Sequence, residues 1–226
     1  MKTVAMALFP DFLLLDMAGP LEVFSIANRY LPAAAHYRIL TIGTEPGALR
    51  ASNGVLIQPD LLLEQADEAY DVLLVPGGPG AYNECHPALL PWLKAAAARA
   101  RRFGSICTGA FVLGHAGLLD GHRVTTHWHY TERLIKGFPK AIVETDRIYL
   151  QDGRLITSGG VTAGIDLALS IVAQDHGKQV AVDVAKVLLV VMKRQGGQAQ
   201  FSPMTAAVAP LETAITRVQN QVLAQL

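Results

Sequence analysis

The feature that most constrains this chain is a rhythm. Short apolar runs stop abruptly at glycine- or proline-rich turns, and helical stretches fill the intervals. Residues 3–9 (TVAMALF) have the length and composition of a buried parallel strand. LLLDMAGP follows, then a helix predicted from about Leu21 to Tyr30. Residues 36–43 form a second strand, and Asn53-Gly54 marks a hairpin within 51–58. DVLLV at 71–75 is a further buried strand, cut off by PGGPG. An Ala-rich helix fills 87–102, with Pro87 suited to its start. A very short strand at about 103–106 leads into Cys107. The stretch after it is helical and ends at Asp120-Gly121. Strands are predicted at 123–126 and 141–157, the latter folded at Asp152-Gly153. SGGVTAG opens a long helix to about Gln174, and another covers roughly 178–193. Alternating strands and helices imply βαβ units and a mostly parallel sheet covered on both faces. The loops LDMAGP, PGGPG, ICTG, TTHW and SGGVTAG all follow predicted strands, so they are expected to converge on one rim, where such sheets bind ligands.

Composition narrows the function. The chain has 226 residues, with 19 Lys plus Arg against 19 Asp plus Glu. That balance gives no hint of the basic face that gripping DNA phosphates requires. Cys85 and Cys107 are too few for a disulfide framework and suit a reducing compartment. The N-terminal MKTVAMALFPDF lacks a signal peptide's apolar core and cleavage site, and no apolar run is long enough to span a bilayer. A cytoplasmic chain with no membrane contact is expected.

RRFGSICTGA carries the chemistry. It places Cys107 between a strand and a helix, where a side chain stands exposed above the sheet on a sharp turn. The helix N-terminus is expected to favour the thiolate. A buried core cysteine is the alternative. Cys85, in the polar loop NECHP, reads as incidental. Glycines in PGGPG let backbone approach closely, so Gly77 and Gly78 are candidates for the pocket, with the Gly78 and Thr108 N–H groups as an oxyanion hole. Asp16 is positioned to orient the thiol or carry its proton, or to cap a helix with Pro20 in its first turn. His127 is a candidate pocket residue, although spacing does not bring its ring to the cysteine. His127 and His129 form an H-x-H pair without a third ligand, so no metal is expected, and no cofactor motif is present. Thr162 is read as a cap or pocket wall.

LLLDMAGPLEVF, LLVPGGPG, SICTGAFVLGHAGLLDG, TTHW and LITSGGVTAGIDLAL together resemble the ThiJ/PfpI family of the class I glutamine amidotransferase-like superfamily, over roughly residues 3–192. The resemblance implies a flavodoxin-like three-layer α/β sandwich, often a homodimer, with Cys107 at a nucleophile elbow. It is similar in particular to isonitrile hydratases. There Cys107 matches the nucleophile, Thr108 the threonine after it and Asp16 the motif aspartate. The family's peptidases place a histidine directly after the cysteine. Here that residue is Thr108, so protease activity is not expected.

The tail resembles something further. KRQGGQAQFSP is polar and turn-rich, and Leu211, Ile215, Val218 and Val222 then form an amphipathic stripe. Arg194, Gly196, Gly197, Gln198, Ala199, Gln200 and Phe201 resemble the junction in AraC-type transcription regulators that carry a ThiJ/PfpI-like domain ahead of helix-turn-helix units. This implies a sensing domain at 1–193, a linker at 194–210 and the start of a truncated DNA-binding region at 211–226. The expected function is ligand sensing and dimerisation in an AraC-family regulator. DNA would be contacted only through the missing C-terminal part. The alternatives are a cysteine-dependent isonitrile hydratase and, more weakly, a sensor that oxidises Cys107 to a sulfinate.

Overall fold

A computed structural model of the chain describes residues 1–83, 86–190 and 197–198. Eleven strands and seven α-helices occur among them. In chain order they are β1 (Lys2–Leu8), α1 (Leu14–Ala27), β2 (Tyr37–Gly43), β3 (Leu49–Arg50), β4 (Leu56–Ile57), β5 (Leu61–Leu62), β6 (Val72–Val75), α2 (Gly80–Asn83), α3 (Leu89–Arg99), β7 (Arg102–Ile106), α4 (Gly109–His115), β8 (Arg123–Val124), α5 (Thr131–Gly137), β9 (Ile142–Val143), β10 (Tyr149–Asp152), β11 (Leu155–Ser158), α6 (Ala163–His176) and α7 (Lys178–Val187).

Seven strands form the central sheet in the order β10-β11-β7-β6-β1-β2-β5. All neighbours are parallel except β10 and β11, the hairpin expected at Asp152-Gly153. β1, β6 and β7 lie at the centre with helices on both faces, so nearly every residue in them is buried. This explains their continuous apolar runs. Helices α1, α6 and α7 cover one face, and α3 and α4 the other. The result is the expected flavodoxin-like three-layer sandwich.

Three sequence expectations shift. The helix predicted from Leu21 begins at Leu14, so Asp16 sits in its first turn and Pro20 inside it. LDMAGP is therefore helical, and the loop after β1 is Phe9–Leu13. Pro20 removes a backbone donor, but it is buried against α6, where a Cβ on Gly164 would stand 3.0 Å from its ring. Tertiary packing outweighs local propensity here. The 123–126 strand survives only as β8, which pairs with β9 in a separate two-stranded sheet. The helix predicted to reach 193 ends at Val187. The expected amphipathic helix from Leu211 lies outside the described residues, as do Cys85 and the linker apart from Gly197 and Gln198.

Strands β1, β6, β7 and β11 point the same way, and the segments leaving their C-terminal ends gather on one rim. No helix among the described residues is long and apolar enough to cross a membrane.

Candidate functional site

β7 ends at Ile106, α4 begins at Gly109, and Cys107 occupies the corner with φ of 56°. A non-glycine residue in the left-handed region is strained by about 1–3 kcal/mol and persists only where its surroundings fix it. Here they do. The Cys107 N–H donates to the Ser158 carbonyl at 3.0 Å, and its own carbonyl accepts from Thr126 Oγ1 at 2.8 Å. The next strand and the 125–128 loop thus hold the elbow from both ends.

Asp16 lies beside the thiol and is fully buried. Its two carboxyl oxygens accept from different loops: Oδ2 from the Gly77 N–H at 2.9 Å and Oδ1 from the Val161 N–H at 2.7 Å. Its role is therefore not that of a helix cap; it clamps the β6 and β11 loops together beneath the cysteine. Val161 has φ of 52°, a genuine outlier for a β-branched side chain. That strain is what aims its N–H at the carboxyl.

Burial dominates the electrostatics. Desolvation raises the Asp16 pKa to about 6, against the pull of its two backbone N–H donors and the thiol. Desolvation, then the Asp16 carboxylate, push the Cys107 thiol well above its ordinary value. The Thr108 backbone N–H and hydroxyl pull the other way and lose. The environment thus works against the expected helix-stabilised thiolate: burial, and then the Asp16 carboxylate, outweigh what the seven-residue α4 supplies. This environment favours the Cys107 thiol over the thiolate.

The expected oxyanion hole is altered as well. The Gly78 N–H does not face the thiol as a free donor; it donates to Thr108 Oγ1 at 2.9 Å. The Thr108 hydroxyl in turn lies 3.3 Å from the Gly78 carbonyl, to which it donates. Gly78 and Thr108 lock the β6 loop onto the elbow.

Above this floor is a pocket of about 290 Å³. Leu13, Pro79, Tyr82, His127, Tyr130 and Val161 form its walls over Cys107 and Thr108. The Tyr82 and Tyr130 hydroxyls are 2.8 Å apart, and the Arg133 guanidinium lies 4.8 Å from the Tyr82 ring centre. His127 is half-buried, and desolvation followed by the neighbouring His129 lowers its pKa. Thr162 does not join this pocket. It precedes α6 without a side-chain cap bond and lines an adjacent cavity of about 240 Å³ with His127, Trp128 and Gln198. No group of His, Cys, Asp and Glu able to hold a metal occurs among the described residues.

The sequence profile of the DJ-1/PfpI family matches residues 2–174. The chain belongs to that family. The HTH-type transcriptional regulator CdhR of Pseudomonas aeruginosa is 37% identical over 179 residues, which cover 79% of this chain and 52% of CdhR. Isonitrile hydratase of Pseudomonas putida is 36% identical over 188 residues, covering 82% of this chain and 75% of the enzyme. The crystal structure of an AraC family transcriptional regulator from Pseudomonas putida superposes with a TM-score of 0.73 at 21% identity, over 83% of this chain and all of that one, and so shares the fold. The chain spans about half the length of CdhR and of the HTH-type regulator GbdR of Pseudomonas aeruginosa, which is 30% identical over 188 residues.

Within this DJ-1/PfpI domain, the sequence does not single out Leu13, Tyr82, Thr126, Tyr130, Gly160 or Val161, all of which build the site. Gly160 has φ of 89°, and a Cβ there would fall 2.5 Å from the Cys107 sulfur, so the sulfur packs directly on backbone. Val161 holds Asp16. Tyr130 shares a wall with Tyr82 although 48 residues separate them. The SGGV and THWHY strings signalled loops, but no sequence pattern states which loops face each other.

Proposed function

We propose that this chain is the ligand-sensing part of an AraC-type transcription regulator, and that a small molecule binds in the pocket over Cys107. Relatedness to CdhR and to other HTH-type regulators supports this reading. The observation that carries it is the state of the floor. The Gly78 N–H, which a nucleophile would need for its oxyanion, is spent on Thr108, and burial and then Asp16 disfavour the Cys107 thiolate. Such a floor can hold a ligand without turning it over, because a fold can keep a pocket while losing its chemistry. In this proposal Asp16, Cys107 and Thr108 position the ligand, with Gly77, Gly78 and His127 around it. The domain acts in the cytoplasm as a homodimer, and residues 211–226 begin the DNA-reading region.

The test is a thermal-shift screen of small metabolites. At least one compound should raise the Tm of the wild-type chain but not of Leu13→Trp, whose indole fills the pocket. Tight DNA binding by the 226 residues alone would count against the reading.

The hydratase reading rests on the shared Cys107, Thr108 and Asp16 set and on the likeness to isonitrile hydratase. The Cys107 sulfur would attack the terminal isonitrile carbon. Asp16 would move the thiol proton onto that carbon, giving a thioimidate. Water would then add and expel the thiol, leaving an N-substituted formamide. Formamide production from an alkyl isonitrile that vanishes in Cys107→Ala would install this reading in place of the first.

A further inference from the structure

Gln198 sits in the stretch resembling the regulators' junction, yet its side chain is built into the domain. It is 4% exposed. Its Nε2 group donates to the Arg147 carbonyl at 2.6 Å and the Thr126 carbonyl at 3.0 Å, and lies 3.2 Å from Thr125 Oγ1. Its Oε1 accepts from the Trp128 N–H at 2.9 Å. A surface glutamine gains little by such an arrangement. A buried carboxamide with both ends satisfied specifies one position of the chain that carries it.

What Gln198 holds is also what holds Cys107. Thr126, whose carbonyl Gln198 takes, gives its hydroxyl to the Cys107 carbonyl. The two consecutive glycines after β11 face opposite ways. A Cβ on Gly159 would strike the Gln198 amide at 2.6 Å, and one on Gly160 would strike the Cys107 sulfur at 2.5 Å. His127 lines both the Cys107 pocket and the cavity beside Gln198. Two thin backbone layers, 125–128 and 158–161, therefore separate the Gln198 amide from the pocket floor. Each layer touches both.

We infer that Gln198 is a latch coupling the junction to the Cys107 pocket, so that displacement at one is felt at the other. The inference rests on the regulator reading, since it supplies the route by which pocket occupancy would reach a DNA-reading region. Linkage requires the coupling to be reciprocal, with factors typically of about 5–150-fold. A group that enters the pocket and shifts His127 or Thr126 weakens the seat of Gln198. Loss of Gln198 in turn frees the elbow.

The test uses the 226-residue chain in a Cys85→Ser background, with iodoacetamide as probe. Its reaction with the Cys107 peptide is followed by mass spectrometry at pH 8. Alkylation of the buried sulfur reads the equilibrium population of the opened elbow, so Gln198→Ala and Gln198→Glu should raise the rate by about fivefold or more. Gly159→Ala, whose methyl pushes on the amide, should do the same, and its effect should not add to that of Gln198→Ala. Reciprocally, alkylated Cys107 in otherwise unchanged chain should speed amide exchange in the peptide spanning 194–201. Unchanged alkylation in variants whose Tm and circular dichroism show a folded domain would overturn the latch. So would unchanged exchange on alkylation, a measurement that needs no variant at position 198. Neither readout involves a metabolite or DNA. Failure of the metabolite screen removes the regulator reading and leaves the coupling, whereas failure here removes the coupling alone.

Discussion

The buried carboxyl of Asp16 makes stability depend on pH in a direction opposite to that of most acids. Its pKa is 3.8 in the unfolded chain and about 6 in the fold. A folded-state pKa raised above the unfolded one contributes stability that is fully present below 3.8 and lost as pH rises through 6. At about 1.36 kcal/mol per pKa unit the whole window is worth about 3 kcal/mol, of which about 2 falls between pH 4.5 and 8. Urea unfolding followed by Trp92 and Trp128 fluorescence measures it, with Asp16→Asn as reference. The amide lacks the titration, and it leaves one of the Gly77 and Val161 donors badly paired at a cost that does not vary with pH. The wild type should therefore lose about 2 kcal/mol relative to Asp16→Asn between pH 4.5 and 8. Other titrating groups cancel in the difference. A flat difference would mean that Asp16 is solvated, and a rising one that its hydrogen bonds outweigh its burial. Either would refute the account of the site.

The same carboxylate holds up the thiol pKa, so Asp16→Asn should speed iodoacetamide modification of Cys107 at pH 8–9 and move its pH profile to lower values. Gly160→Ala places a methyl against the sulfur at a φ of 89° and should cost about 3 kcal/mol or prevent folding, read as Tm. Thr108→Val should cost about 2 kcal/mol in urea unfolding because the Gly78 N–H loses its acceptor, whereas Thr108→Ser should restore most of it. Asp175→Asn should cost about 3 kcal/mol, since this buried carboxylate gathers Lys2, Arg101, Arg102 and the Tyr37 hydroxyl at the opposite end of the sheet. Asp175 has its pKa lowered by Arg101 and Arg102 against desolvation, so its contribution is present above the unfolded carboxylate pKa and should fade as pH drops below it.

The fold was legible because it depends on local signals. β1, β6 and β7 are buried on both faces, which forces apolar runs, and the turns between elements require Gly, Pro, Asn or Asp wherever they occur. The start of α1 was not legible. Leu13, Asp16 and Pro20 read locally as a loop before a helix. The helix begins early only because the Leu13 N–H finds the Gly77 carbonyl at 2.7 Å and Pro20 finds α6. Both partners lie more than 50 residues away.

The site divides along the same line. Cys107 announces itself by position, between a strand and a helix whatever surrounds it. The properties that decide its chemistry are set by other segments. Burial by the surrounding segments and then Asp16 of α1 raise its pKa, Gly160 presses on its sulfur from the β11 loop, and Thr126 holds its carbonyl from the 125–128 loop. An isolated strand–Cys–helix string with a free N-terminal dipole favours a thiolate. The assembled site, with a buried carboxyl clamped beside the sulfur, favours a thiol. A motif can therefore name the residue at the centre of the pocket while its reactivity is fixed by contacts that only the fold creates. The pH profile of Cys107 alkylation in the wild type and in Asp16→Asn distinguishes the two states. A profile already at its plateau at pH 7 in the wild type would return the cysteine to nucleophilic service.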